Sequence, residues 1–146
     1  MFKLWSHDIQ HEGKIPSHFT IDGPNINPHL AWEGVPEGTK SFALIVDDPD
    51  APRGLWTHWL VSDIPADTHM VMQNSVPKGA VLVKNDFNVE EYQGPSPPSG
   101  IHRYFFRVYA LDREHLKAKN KKKFYKLVKK YSLAEAELMA YYSKRR

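Results

Sequence analysis

The chain has 146 residues, 41% hydrophobic and 25% charged, with a formal net charge of +3, the size and balance of one globular domain (1–146) able to bury a real core. It has no run of about 18 apolar residues and no apolar leader within Met1 to Gly13, so neither a membrane helix nor a signal peptide is expected. It has no cysteine, which excludes disulfides, thiol nucleophiles and thiolate metal sites and points to the reducing cytoplasm. The charge is uneven. From Arg113 onward twelve Lys and Arg face three Asp and Glu, a net of +9, which leaves the first 112 residues at −6. An anion site in the body must therefore work by local geometry against the body's own field.

Dense Pro and Gly punctuation up to about residue 100 marks off short strands. Phe2 to Ser6 reads as the first. Ile15 to Thr20 reads as irregular, because Pro16 has no N–H for a ladder. Gly23-Pro24-Asn25 and Asn27-Pro28 are turns, and Leu30 to Trp32 is a short apolar strand. Ser41 to Asp47 is an unbroken apolar run between turn residues, which predicts a strand buried on both faces. Asp48-Pro49-Asp50-Ala51-Pro52-Arg53-Gly54 breaks it in a turn tight enough to raise the question of a cis Ala51–Pro52 bond. Thr57 to Ser62 and a segment within Val76 to Lys84 are the next strands.

Gly94-Pro95-Ser96-Pro97-Pro98-Ser99-Gly100 is a stiff loop that runs into the strand Ile101 to Leu111. Its three prolines remove three donors, which leaves the N–H groups of Gly94, Ser96, Ser99 and Gly100 free to meet a ligand. Alternation puts His102, Tyr104, Phe106 and Val108 on one face of the strand. Further on, Phe124, Leu127, Val128 and Tyr131 have helical spacing. Ser132 to Glu135 has capping-box spacing, which predicts a second helix turning Leu138, Met139 and Tyr142 inward. The residues thus describe a mainly β fold with a helical segment over about 113–146, packed on the sheets.

Three places carry candidate chemistry. Asp48 closes a buried strand at a turn. His58 follows in the next strand, where alternation groups it with Leu60 and Ser62, and Trp56 walls the entrance. His102 and Tyr104 leave the Pro-rich loop side by side. Each residue alone has a bland reading as turn former or core histidine. Asp48, His58 and His102 also have the composition of a metal site or an acid/base set, and a hydrolase is the competing function. No P-loop, nucleophile elbow or HExxH pattern accompanies them.

FALIVDDPDAP, GLWTHWLVSDIP and GPSPPSGIHRYFFRVYALD resemble the three signature segments of the phosphatidylethanolamine-binding protein family. The nearest branch is its bacterial and archaeal one, often called Raf-kinase-inhibitor-like. IPSHFTIDGPNINPHLAWEGVPEGTKSFAL resembles that branch's opening, and LAEAELMAYY its last helix. The resemblance implies two antiparallel sheets with peripheral and C-terminal helices, and a small pocket for phosphate, acetate or a phospholipid head group. Carried over by motif, Asp48, His58, Gly94, His102 and Tyr104 form that pocket, with Pro52 and Trp56 lining it. The implied protein is a non-enzymatic module that needs no cofactor, binds a small anionic or phosphorylated ligand, and modulates a kinase or protease partner. A homodimer is implied by the bacterial relatives.

An ionised Asp48 a few ångström from a phosphate costs about 4 kcal/mol at an effective ε of 20. Either Asp48 holds a proton or it accepts from a ring nitrogen of His58 or His102, so the loaded site carries an extra proton and affinity falls from about pH 6 to 8. Lys117 to Lys130 reads first as the wet face of a helix, with peripheral contact to an anionic membrane as the second reading and nucleic acid disfavoured.

Overall fold

Every residue from Ser41 to Asp48 is buried, so the apolar run finds a covered face on each side. The computed structural model describes residues 1–144, and this strand lies at the middle of its larger sheet. In chain order the elements are β1 (Lys3–Trp5), a 3-10 turn (Ser17–Phe19), β2 (Leu30–Glu33), β3 (Ser41–Asp48), β4 (Trp56–Pro65), β5 (Met70–Val71), β6 (Val81–Val83), β7 (Ile101–Leu111), α1 (Lys121–Tyr131) and β8 (Ser132–Ser143). They make two antiparallel sheets, ordered β1-β2-β5 and β6-β4-β3-β7-β8.

β3 shows how the layers are held. Phe42, Leu44 and Val46 enter the core between the sheets, where Leu4, Leu30, Trp32 and Val71 of the smaller sheet meet them. Ala43 and Ile45 face the other way and join Leu60, Leu111, Phe124 and Val128 beneath α1. Burying Phe124 fully contributes about 1.5–3 kcal/mol to seating the helix. Asn120 starts α1, its side chain accepting from the Lys123 N–H at 2.9 Å. The helical spacing holds, with Phe124 and Val128 buried and Leu127 and Tyr131 half-buried.

The second helix expected from Ser132 is a strand. β8 pairs along β7 from Ser143 opposite Ile101 to Ser132 opposite Leu111. Its Leu, Ala and Glu residues prefer helix by only tenths of a kcal/mol each. Against that stands a period of two, with Ala136, Leu138, Ala140 and Tyr142 all buried beside the core-facing row of β7. Leu138 and Tyr142 do point inward, whereas Met139 lies on the other face. The segment from about 113 is therefore one helix and one strand, and residues 145 and 146 lie outside the described residues. The outer edge of β8 is partly covered by Glu12 to Ile15: Glu12 N–H donates to the Met139 carbonyl, and Ile15 N–H to that of Tyr141. Ala51–Pro52 is trans, like every described peptide bond.

Candidate functional site

β3 ends at Asp48, β4 begins at Trp56 and β7 enters at Ile101, all at one end of the larger sheet. Between Val46 and Asp47 the β3–β4 register shifts, leaving His58 as the extra residue on β4. Thr57 faces α1, with its hydroxyl 2.8 Å from Tyr125 Oη, and Leu60 joins the helix-side core. The His58 ring meets Tyr104 instead, centroids 5.4 Å apart. Simple alternation, which grouped His58 with Leu60 and Ser62, fails at this bulge.

A cavity of about 350 Å³ opens here, and its wall includes Asp48, Pro52, Trp56, His58, His102 and Tyr104. Six of the seven residues picked from the sequence thus share one cavity. Gly94 does not border it. That residue lies under the loop, where an added Cβ would come within 2.0 Å of the Phe19 carbonyl, and its N–H donates to Asn25 Oδ1 at 2.8 Å. This donor is engaged inside the chain and is not offered to a ligand.

Asp48 and His102 form a buried pair, with His102 Nδ1 2.7 Å from Asp48 Oδ2. The other Asp48 oxygen accepts from Asp50 N–H at 2.7 Å, which folds the turn back over the strand end. Asp50 in turn accepts from the Arg103 backbone at 2.9 Å and from its guanidinium at 2.9 and 2.8 Å. Consecutive residues of β7 thereby hold the turn that carries Pro52 and Arg53 at the cavity. Those Arg103 hydrogen bonds lower the Asp50 carboxyl to about 2.

The Tyr104 phenol is pushed up by burial, then by the charge of Asp48 and a hydrogen bond to it, so it stays protonated. His58 Nδ1 lies 2.6 Å from the Gln93 carbonyl. Burial lowers the His58 pKa, and that carbonyl and the Asp48 charge oppose the shift. Sequence reasoning missed Phe87, whose ring meets His58 at 5.1 Å and Trp56 at 5.8 Å. Its signal was Asn85, a residue that folds loops on themselves. The Asn85 amide donates to the carbonyls of His58 and Glu91, and its oxygen accepts from Phe87 N–H. The exposed Arg53 also borders the cavity, and Ser96, Pro97 and Pro98 supply the loop's share. Among the described residues no three His, Asp or Glu side chains are grouped to hold a metal ion.

On its far side the same end of the sheet carries α1. Tyr125 Oη donates to Asp47 Oδ2 at 2.8 Å, and Lys121 Nζ pairs with Asp86 at 2.6 Å. Asp86 also accepts from the Thr57 N–H at 2.7 Å.

The family model described as phosphatidylethanolamine-binding protein matches residues 5–143. A protein of Methanothermobacter thermautotrophicus named UPF0098 protein is 51% identical over 114 residues, 75% of this chain and 76% of its own length. The crystal structure of YbcL from E. coli, described as a new member of the mammalian PEBP family, superposes with a TM-score of 0.93 at 33% identity and covers 99% of both chains. A putative phosphatidylethanolamine-binding homolog, CT736 of Chlamydia trachomatis, gives 0.91 at 32% identity, over 99% of this chain and 98% of its own.

Proposed function

Because the chain belongs to the phosphatidylethanolamine-binding protein family, we propose that it is a non-enzymatic binding module whose cavity takes a phosphate-like anion or a phospholipid head group. One observation carries the reading: Asp48 bonded to His102 in the same wall as His58 and Tyr104. A bare carboxylate would repel an anion. Here both Asp48 oxygens accept from the chain, so the residue orients an imidazole instead. Arg53 contributes positive charge, and the Tyr104 phenol a neutral hydroxyl. His58 Nδ1 rests on the Gln93 carbonyl and His102 Nδ1 on Asp48, an arrangement that fixes both rings in the cavity wall and supports a binder.

The proposed partners follow from the surfaces. In α1, Lys122, Lys123, Lys126, Lys129 and Lys130 are exposed and fall on one arc opposite Phe124 and Val128, at about 100° per residue. Like charges at i, i+4 and lysines in the first turn each cost the helix some tenths of a kcal/mol, which an anionic lipid surface would offset. Phe124 is buried and Tyr125 is bonded to Asp47, so neither ring is offered to stack on bases, and nucleic acid is the poorer fit. A kinase or protease modulated by the loaded pocket, and a second copy of the chain along the uncovered part of β8, complete the reading. The cytoplasm is its proposed compartment; no helix among the described residues is long and apolar enough to cross a membrane. Native mass spectrometry of protein purified without phosphate or acetate, then given phosphate, tests the module. A single stoichiometric adduct is expected, and its absence would refute the pocket.

A further inference from the structure

The outer face of the smaller sheet carries a cluster that the anion pocket does not use. On the inner face Leu4, Leu30, Trp32 and Val71 enter the core. Alternation then puts Trp5, His29, Ala31, Met70 and Met72 on the other face. The pairing sets their order. Trp5 and Met70 lie opposite Ala31 from either side. Trp32 N–H donates to the His69 carbonyl and Asn74 N–H to that of Asn27, so the β2–β5 register runs on past both ends of β5. It places Met72 opposite His29. Directly opposed side chains on such a face start about 5 Å apart and diagonal ones about 7–8 Å, within reach of long side chains. Ala31 is the small residue at the centre, with Trp5, His29, Met70 and Met72 around it.

Three of these side chains offer a metal ligand. Met70 and Met72 are 48% and 58% exposed, so their soft sulfurs are reachable and are not spent on core packing. His29 Nδ1 accepts from the His7 N–H at 3.1 Å, so the ring proton sits on Nε2. Nε2 has no partner among the described residues, yet it is not sealed, because the buried side-chain nitrogens left unpaired are those of Trp32 and Trp59. Asp8 adds negative charge, its Oδ2 accepting from the His29 backbone N–H at 2.7 Å. The Trp5 ring meets the His29 ring at 5.5 Å and brings a π system beside a cation held there. Two thioethers with one imidazole suit a soft monovalent ion such as Cu(I). Zinc takes thiolate, imidazole and carboxylate instead, and among the described residues no three His, Asp or Glu side chains are grouped for it.

We propose that Met70, Met72 and His29 form a site for one Cu(I)-like cation on the outer face of the smaller sheet, with the two sulfurs and Nε2 as its ligands. Binding displaces the Nε2 proton, which passes to Nδ1. The imidazole is neutral before and after, and no electron is transferred. The His7 N–H gives up its acceptor and, at an exposed bend, turns to water. None of the three ligands lines the anion cavity, so the site stands independently of that reading.

The test is a titration of the full chain, carbon-13 labelled at its methionine methyls, with silver nitrate in chloride-free buffer. Ag(I) stands in for Cu(I) without redox chemistry. The chain has four methionines, so Met1 and Met139 serve as internal controls. The Met70 and Met72 methyls should shift together and saturate at one equivalent, with Met1 and Met139 unmoved. Parallel shifts of all four, or shifts that do not saturate, mean an adventitious ion only and overturn the proposal. Nitrogen NMR of His29 should show the proton pass from Nε2 to Nδ1, and a ring that keeps its Nε2–H is no ligand and overturns it as well. Cu(I) competition against bicinchoninate reads the affinity. Met70→Leu and Met72→Leu keep apolar bulk at exposed positions. Each should weaken Cu(I) binding at least about tenfold, the loss that even an indirect partner of a metal ligand brings. Wild-type affinity in the double variant would remove the thioethers from the site. Zinc should leave both methyls unmoved, and an equal response to zinc would contradict selection by soft ligands.

Discussion

Asp47 and Asp48 are adjacent in β3 and bond in opposite directions: Asp47 Oδ2 accepts from Tyr125 Oη at 2.8 Å under α1, and Asp48 Oδ2 accepts from His102 Nδ1 at 2.7 Å in the cavity. The period of two in an extended chain makes this possible. One strand end thus anchors the basic helix and orients the pocket's imidazole, with the sheet as divider.

Tyr125→Phe tests the helix side. It leaves Asp47 with Arg107 alone and strips Thr57 Oγ1 of its side-chain partner. Burial already pushes the Asp47 carboxyl up, opposed first by the Tyr125 hydrogen bond. The variant should lose about 1–3 kcal/mol in urea unfolding, with phosphate affinity unchanged because Tyr125 lies across the sheet. Unaltered stability would mean that α1 is not anchored through this phenol.

Asp50→Ala tests the cavity's lip. The carboxylate holds the turn to Arg103 from a half-exposed position, so its loss should cost stability only about 0.5–1 kcal/mol. The freed turn carries Pro52 and Arg53, so phosphate affinity should fall several-fold in calorimetry. Because the folded-state pKa of Asp50 is depressed to about 2, its contribution is present above about pH 4. That contribution is lost as pH falls toward 2. Wild-type affinity in the variant would show that the turn is held by other contacts.

Stability should also fall in mild acid. Burial lowers the pKa of His58, and of His29 too, helped there by the charge of the stacked His7 ring 4.5 Å away. His29 Nδ1 accepts from the His7 N–H at 3.1 Å, so protonation at that atom would break the bond. Below about pH 6.5 the unfolded chain binds these protons more readily than the folded one. Stability is therefore intact above that value and declines as pH falls, by up to about 1.4 kcal/mol per unit for each histidine. Urea midpoints at pH 7, 6 and 5 measure it. A flat profile would mean that both rings are protonated without penalty in the folded state.

The basic helix should matter for surfaces and not for free phosphate. Replacing Lys122, Lys126 and Lys129 by Glu should abolish pelleting with anionic vesicles, at about 1 kcal/mol per lysine, and leave phosphate binding intact. Wild-type binding to the same vesicles should be lost between about 20 and 300 mM salt. Vesicle binding that survives the triple substitution would remove α1 as the contact.

The sequence disclosed most where one physical requirement acted alone. Ser41 to Asp47 has no polar side for water, and its double burial follows from that. The Pro-rich loop and the Asp48 turn announced rigid chain beside a strand end, and both border the cavity. The misreadings arise where two requirements compete. His58 sits at a bulge set by its pairing with β3, which no pattern within β4 reveals. Ser132 to Ser143 has the residues of a helix and the spacing of a strand, and β7 decides between them by presenting Tyr104, Phe106 and Val108 for cover. Phe87 reaches the site because Asn85, which accepts from the Phe87 N–H, also donates to the distant His58 carbonyl, and that second link is one that spacing cannot report.

The central claim is that three strand ends make one anion pocket. Its most direct test is a phosphate titration followed by amide and ring NMR of protein purified without phosphate or acetate. The account predicts saturable shifts centred on His58, His102, Tyr104 and Ser96, with the lysines of α1 unmoved. Shifts confined to Lys117 through Lys130, or none that saturate, would contradict it.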